Sequence, residues 1–339
     1  LNLAGFSFVI ANLYRELSES RADSEVIRTL ATSDTRVRFG WTPGRFAMVL
    51  ALLLIAEMGY LMLMLRNVDM DSDVLIIAHR GAAGAAPENT LESILHGVEA
   101  GADAIEFDIH ATQDGRIVLF HDDTLERTTD GTGVVEEMTL EQLKRLDAGY
   151  GFTPDLGRSF PFRGTGVRIP TLDEAVEASG DLPLICEIKT EKAGLLLAEW
   201  LPGNPARERM IVGGFDLAQV RPAAAVARWR CASRRDLTPM VLLGKLGIRA
   251  HLPDDVAAAM VPVRKGAIRI VTRDFIRRCH DTGAGVHVWT VNRPAEMRQL
   301  LALGVERLIS DYPAIARRIV EEHRAEARAD QPTIGGDLQ

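Results

Sequence analysis

Two histidine-led dipeptides and a pair of carboxylates lie within residues 78–122, and their types and spacing point to one chemistry. His79-Arg80 follows the apolar run 75–78, Glu106 and Asp108 sit in the run 104–109, and His121-Asp122 follows the run 117–120. Two histidines can carry protons near neutral pH. Carboxylates at i and i+2 leave a strand on the same side, so Glu106 and Asp108 can share one hard cation. Arg80 offers a planar fork of donors that suits a phosphate. Two acid/base groups, a metal and an arginine fit phosphoryl chemistry on an ester. Short apolar strands that each stop at a polar cluster are the pattern of a parallel (β/α)8 barrel of the TIM type, whose active site lies at the C-terminal strand ends.

The elements that must position these groups follow from residue 74 onward as strand, loop and helix, repeated. Asn89 and Thr90 are N-cap candidates for a helix through Val98, with Glu92 three after Asn89 and Gly101 closing it. Residues 117–120 are the third strand, and Asp114-Gly115 before them reads as a structural turn on the far side of the barrel. Residues 122–166 are too long for an ordinary loop between strand and helix and form a small insertion, with a short helix opening at Thr139. Thr171 caps the next helix. Residues 182–189 are the fourth strand, and its Glu187 and Lys189 again share a face. Strands five to eight are read at 209–216, 239–243, 286–292 and 307–311, with room for an extra strand in 250–271. The barrel spans 74–320, and the charged, polar residues 321–339 read as a disordered tail.

The region before the barrel differs in kind. Residues 46–65, FAMVLALLLIAEMGYLMLML, carry one charge, Glu57. This matches the roughly 20 residues a helix needs to cross a bilayer, and no polar face or cleavage site argues otherwise. Glu57 is either a polar contact to another helix or a functional group. Residues 1–14 are apolar too, as the end of a truncated membrane helix or as a buried amphipathic segment. Six arginines (Arg15, Arg21, Arg28, Arg36, Arg38 and Arg45) precede the 46–65 span, whereas Arg66 and then Asp69, Asp71 and Asp73 follow it. The arginine bias places the N-terminal side in the cytoplasm and the barrel outside it, on an integral cell-membrane protein. The 339-residue chain begins at Leu1 rather than Met and is read as a fragment. Its net charge of −8 shows no basic excess, so no nucleic-acid partner is expected. Cys186, Cys231 and Cys279, odd in number and far apart, indicate neither a disulfide framework nor a zinc cluster.

His79-Arg80-Gly81, the PENT of residues 87–90, the ExD of Glu106 and Asp108, Asp114-Gly115 and His121-Asp122 occur in an order and at gaps that a lone motif would not match. Together they resemble the glycerophosphodiester phosphodiesterase family. The resemblance implies metal-assisted hydrolysis of a glycerophosphodiester to an alcohol and glycerol 3-phosphate, within phospholipid breakdown. It points to Glu106, Asp108 and, through the Glu187-x-Lys189 pattern, Glu187 as metal ligands. Oxygen-only ligands favour Ca²⁺ or Mg²⁺ over zinc. The plainer alternative is that these carboxylates only form salt bridges with Arg80 or Lys189. His79 and His121 become the acid/base pair, with Arg80 and Lys189 on the phosphate. Phe215 and Trp289 wall the alcohol side unless they are simple core residues. Asp311 is placed to orient a neighbour, and Asn89 is no more than a cap. The remaining histidines, among them His110 and His287, are read as structural. Gly213-Gly214 depart from the pattern, since relatives often have serines there. The attacking group is the glycerol's own hydroxyl or water. Three rivals remain: a lysophospholipase D activity on lysolipids, a phospholipase C or sphingomyelinase D on the same barrel, and a non-catalytic, membrane-anchored module that binds phosphodiesters.

Overall fold

Alternation along the strands decides what this chain encloses. The computed structural model describes residues 74–244 and 250–329. The expected membrane segments 1–14 and 46–65 lie outside the described residues. Among the described residues, no helix is long and apolar enough to cross a membrane.

The elements in chain order are β1 (Leu75–Ala78), α1 (Leu91–Glu99), β2 (Ala104–Ala111), β3 (Ile117–Leu119), α2 (Leu140–Arg145), α3 (Leu172–Ala178), β4 (Leu184–Ile188), α4 (Glu191–Trp200), β5 (Met210–Gly213), α5 (Leu217–Ala224), β6 (Trp229–Cys231), α6 (Arg234–Gly244), β7 (Val256–Pro262), a small hairpin of β8 (Arg264–Lys265) and β9 (Ile268–Arg269), α7 (Arg273–His280), β10 (Gly285–Trp289), α8 (Pro294–Leu303), β11 (Arg307–Ser310) and α9 (Pro313–Ala329). Eight of the strands pair in parallel in the order β1, β2, β4, β5, β6, β7, β10, β11, and β11 returns to β1 to close the barrel. This is the TIM-type (β/α)8 architecture.

Residues two apart point the same way on a strand. One set, Ile77, Ala104, Ile185, Cys231, Ala258 and Ile309, packs together with Ile211, Met260 and Trp289 and fills the lumen. The other set faces outward and packs under the helices. Two large clusters result, one around Phe107, Ile109 and Leu184, the other around Ile76, Val286 and Leu308. The step that follows each lumen residue carries the chemistry. Ala104 leads to Glu106 and Asp108, Ile185 to Glu187 and Lys189, Ile77 to His79, and Ile309 to Asp311.

The capping boxes at Thr139 with Gln142 and at Thr171 with Glu174 form as their sequence predicts. The insertion has its own core of Val118, Phe120, Leu125, Val135, Leu143, Ala148, Val167 and Ile169. Other expectations need correction. Residues 117–120 do not form a barrel strand. β3 runs antiparallel to β2, because the turn through Asp114-Gly115 is far too short for the crossover a parallel pair needs. That turn therefore lies beyond the C-terminal end of β2, not on the far side of the barrel, and it folds the chain back so that Phe120 N–H donates to the Asp108 carbonyl. Residues 239–243 are helical within α6. The run is apolar, yet Met240 is buried while Leu242 is half-exposed, which is helical rather than strand spacing. The fifth and sixth barrel strands are instead Trp229–Cys231 and Val256–Pro262, the latter inside the 250–271 stretch where an extra strand was expected. The expected disordered tail is helical as far as Ala329, where α9 packs Ala316, Ile319 and Val320 into the core.

Candidate active site

The first site loop is built tightly. Arg80 and Gly81 both take left-handed backbone angles, with φ of 50° and 86°. A Cβ at Gly81 would lie 2.4 Å from the Ser93 hydroxyl, so only glycine fits against α1 here. The turn presents Arg80 N–H to the Glu106 carboxylate at 2.8 Å and Gly81 N–H to the Glu106 carbonyl at 3.1 Å.

Three carboxylates converge above the lumen residues. Glu106, Asp108 and Glu187 each bring one oxygen to within 4.8 Å of the others. Glu106 and Asp108 are both buried to 1% exposure. Burial, followed by the charge of Asp108, pushes the Glu106 carboxyl up to about 7. Burial raises Asp108 as well, but Lys189 and Arg80 outweigh it and hold that carboxyl below its usual range. Lys189 Nζ lies 2.8 Å from Asp108 Oδ1 and also donates to Glu187, while Arg80 Nε lies 3.3 Å from Asp108 Oδ2. The two cations are fewer than the three carboxylates. Such an oxygen-only, net-negative cluster has the donor chemistry to hold a hard divalent cation.

Asn89 is not the helix cap. Thr90 caps α1 in a box with Ser93. Asn89 is buried at φ 56°, donates its amide N–H to Asp108 Oδ2 at 2.8 Å and accepts the Asp108 backbone N–H at 3.0 Å. It thus fixes the carboxylate that holds both cations. Its place inside PENT was the available signal.

Each histidine is backed by an aspartate. His79 Nδ1 lies 2.6 Å from Asp311 Oδ1, and Asp311 is held by Asn292, which donates Nδ2–H at 2.5 Å and accepts the Asp311 N–H at 2.9 Å. Burial lowers the His79 pKa, but the hydrogen bond to Asp311 and the charge of Glu106 overcome it, and the net shift is upward. His121 Nδ1 lies 2.6 Å from Asp122 Oδ1. With Nδ1 engaged, Nε2 of each ring is the nitrogen open to proton transfer. His110 packs beneath, with Nε2 at 3.3 Å from the His121 carbonyl, and His287 is buried and pushed down to about 3 by its burial and then by Arg307. Neither reaches the cluster.

Two further side chains had no reading in the sequence. Glu88 accepts from Arg80 at 2.7 Å, and Arg127 of the insertion donates both to Glu88 and to Asp122. Phe215 and Trp289 stand together at the ends of β5 and β10 with rings edge to face, centroids 5.8 Å apart. Phe215 is half-exposed. Gly213 and Gly214 bring no side chain to that strand end, and a Cβ at Gly214 would fall 2.9 Å from the Ile188 carbonyl.

The barrel, with carboxylates, cations and imidazoles at its C-terminal rim, defines a phosphoryl-transfer enzyme of the TIM class. Comparison with known proteins makes this particular. A sequence model described as the glycerophosphoryl diester phosphodiesterase family matches residues 79–315. A glycerophosphodiester phosphodiesterase of Caldanaerobacter subterraneus is 31% identical over 253 residues, 73% of this chain and 98% of that one. One of Bacillus altitudinis is 30% identical, covering 73% and 98%. Among solved structures, an Oleispira antarctica phosphodiesterase in complex with the product sn-glycerol-3-phosphate superposes with a TM-score of 0.55 at 27% identity, over 73% of this chain and 96% of that chain. The glycerophosphoryl diester phosphodiesterase domain of a Mycobacterium tuberculosis protein shares the fold with a TM-score of 0.65 at 23% identity, over 73% and 99%. The chain belongs to the glycerophosphoryl diester phosphodiesterase family, and it is an enzyme of that class.

The His79–Asp311 pair makes a signed prediction. Because the folded pKa of His79 is raised above its ordinary 6.5, the stability this pair contributes is full below that value and is lost as pH rises through the raised one. Asp311→Asn is expected to move the His79 titration, followed by NMR of the imidazole, to lower pH. An unchanged midpoint would show that Asp311 does not hold the imidazolium.

Proposed function

We propose that the chain hydrolyses glycerophosphodiesters to an alcohol and glycerol 3-phosphate, and serves phospholipid breakdown. The observation that carries the reading is the convergence of Glu106, Asp108 and Glu187 with Arg80 and Lys189 at one strand-end level of the barrel. The glycerol 3-phosphate bound by the Oleispira antarctica neighbour supports the same substrate class.

Glu106, Asp108 and Glu187 would hold the divalent cation, Ca²⁺ or Mg²⁺ by donor type. When bound, it supplies Lewis-acid neutralisation of phosphoryl oxygens. Arg80 and Lys189 bind the non-bridging oxygens and oppose the charge that develops on them. One of His79 and His121 takes the proton of the attacking hydroxyl or water. The other gives a proton to the leaving alcohol oxygen. Asp311 and Asp122 keep each ring's Nε2 toward the phosphate. Phe215 and Trp289 would wall the alcohol side.

A second reading, lysophospholipase D-type hydrolysis of lysolipids, has its own support. A cavity of about 380 Å³ opens beside Glu88 and Arg127, with Pro87, Phe152, Leu156 and Tyr312 on its walls. These apolar side chains suit the acyl chain on the glycerol phosphate side of a lysolipid. One panel separates the readings: turnover of glycerophosphocholine, glycerophosphoethanolamine and lysophosphatidylcholine, with and without chelator. Turnover of the two glycerophosphodiesters is expected under the first reading and preferred turnover of lysophosphatidylcholine under the second. In either case it is lost on chelation and in Glu106→Gln, Asp108→Asn and Glu187→Gln, and lowered roughly 10²-fold in His79→Ala or His121→Ala. Full turnover after exhaustive chelation would refute the proposed mechanism.

The reading extends to the chain before the barrel, where residues 46–65 would act as a membrane anchor with the barrel outside the cytoplasm. A periplasm-active reporter fused after residue 329 is expected to be active. Activity only from a cytoplasm-specific reporter would reverse the orientation.

A further inference from the structure

The insertion places one half-exposed arginine between both halves of the site, and its bonding is unusual for a surface residue. Arg127 Nη1 and Nη2 donate to the two oxygens of Glu88, each at 2.7 Å. Its Nε and Nη2 donate to the two oxygens of Asp122, at 2.5 and 3.1 Å. All three guanidinium nitrogens are therefore committed to two carboxylates at once. Glu88 continues to Arg80 at 2.7 Å, and Asp122 continues to His121 at 2.6 Å. The result is a chain of alternating charge, Arg80–Glu88–Arg127–Asp122–His121, joining the first loop of the barrel to the end of β3.

We propose that Arg127 is a positioning residue for His121, acting through Asp122. This rests on the reading of His121 as one of the acid/base groups. The two ends of the chain do not depend on Arg127 equally. Arg80 keeps a second carboxylate, Asp108, at 3.3 Å, and its backbone is pinned to Glu106. Among the described residues, the His121 ring has Asp122 as its one side-chain partner, and Asp122 has Arg127 as its one further side-chain partner. Removing the guanidinium therefore frees Asp122, and with it the orientation of the imidazole, while Arg80 stays in place. A lysine cannot replace it, because a single ammonium lacks the fork that grips two carboxylates in one plane. Arg127 is 49% exposed, and exposed ion pairs add little to folding, so its four hydrogen bonds serve position more than stability.

The test is a mutant cycle on the full chain with two substrates, glycerophosphocholine and a nitrophenyl phosphodiester, whose leaving group departs without a proton. Arg127→Met is expected to lower kcat on glycerophosphocholine roughly 10- to 100-fold, the usual range for a residue that orients another, with KM nearly unchanged. Arg127→Lys should recover only a small part. The ratio of rates on the two substrates should move in the same direction in Arg127→Met as in His121→Ala, whichever role His121 plays. In the double variant, read on the activated substrate, Arg127→Met should add no further loss, since no ring is left to position. Asp122→Asn breaks the same link from the other side and takes the place of Arg127→Met in the cycle if that variant does not fold. The proposal is overturned if Arg127→Met leaves kcat unchanged, or if its loss multiplies in full with that of His121→Ala. If His121→Ala itself keeps full kcat, it is the acid/base assignment that fails.

Discussion

Three carboxylates that share one small volume are the constraint on which the rest of this structure depends. The lumen of the barrel is filled by Ile77, Ala104, Ile185 and Ile309, and the pleat forces the residues two steps on to point the same way, toward the C-terminal mouth. There the chain places Glu106, Asp108 and Glu187. An unpaired buried charge costs several kcal/mol, and like charges within a few ångströms cost more. Arg80 and Lys189 relieve part of this, and they do so at Asp108, whose carboxyl is held low. Glu106 keeps the remainder and is pushed up to about 7. A divalent cation would remove this strain, and the oxygen-only donor set suits a hard ion.

The neighbouring parts can be understood as supports for that cluster. Asn89, in a left-handed turn, holds Asp108 by side chain and backbone. Gly81 allows the first loop to press against α1 so that two backbone N–H groups reach Glu106. The histidines stand outside the carboxylates, each with its own aspartate. On the proposed reading, metal holding and proton transfer fall to different side chains, and neither imidazole is needed as a ligand.

Much of this was legible in the sequence because the informative residues are local. Glu106 with Asp108 and Glu187 with Lys189 declare a shared face by their spacing of two. His79-Arg80 and His121-Asp122 stand just past apolar runs. The (β/α)8 class was read correctly, and even the number of strands agreed, but for a compensating reason. β3 and residues 239–243 stood in for the true fifth and sixth strands. Trp229–Cys231 is three residues long with a charged centre, so no apolar run announces it, while the apolar run at 239–243 belongs to a helix. The length of the link between β2 and β3 could have excluded a parallel pair. Asn89 was taken for a cap because asparagine before a helix usually is one. Glu88, Arg127 and Asn292 act through partners that loops bring together, 5 to 39 residues apart in the chain, and no strand or helix periodicity reveals such contacts.

The central claim is that Glu106, Asp108 and Glu187 are held together for a cation. Calorimetric titration of Ca²⁺ or Mg²⁺ into the protein, repeated in buffers of different ionisation enthalpy, tests it by counting protons. With Glu106 near 7 in the metal-free protein, one cation should bind with release of about one proton near pH 6 and with little release above about pH 8.5. Absence of one-site binding, or binding with no proton released on the acid side of 7, would contradict the account.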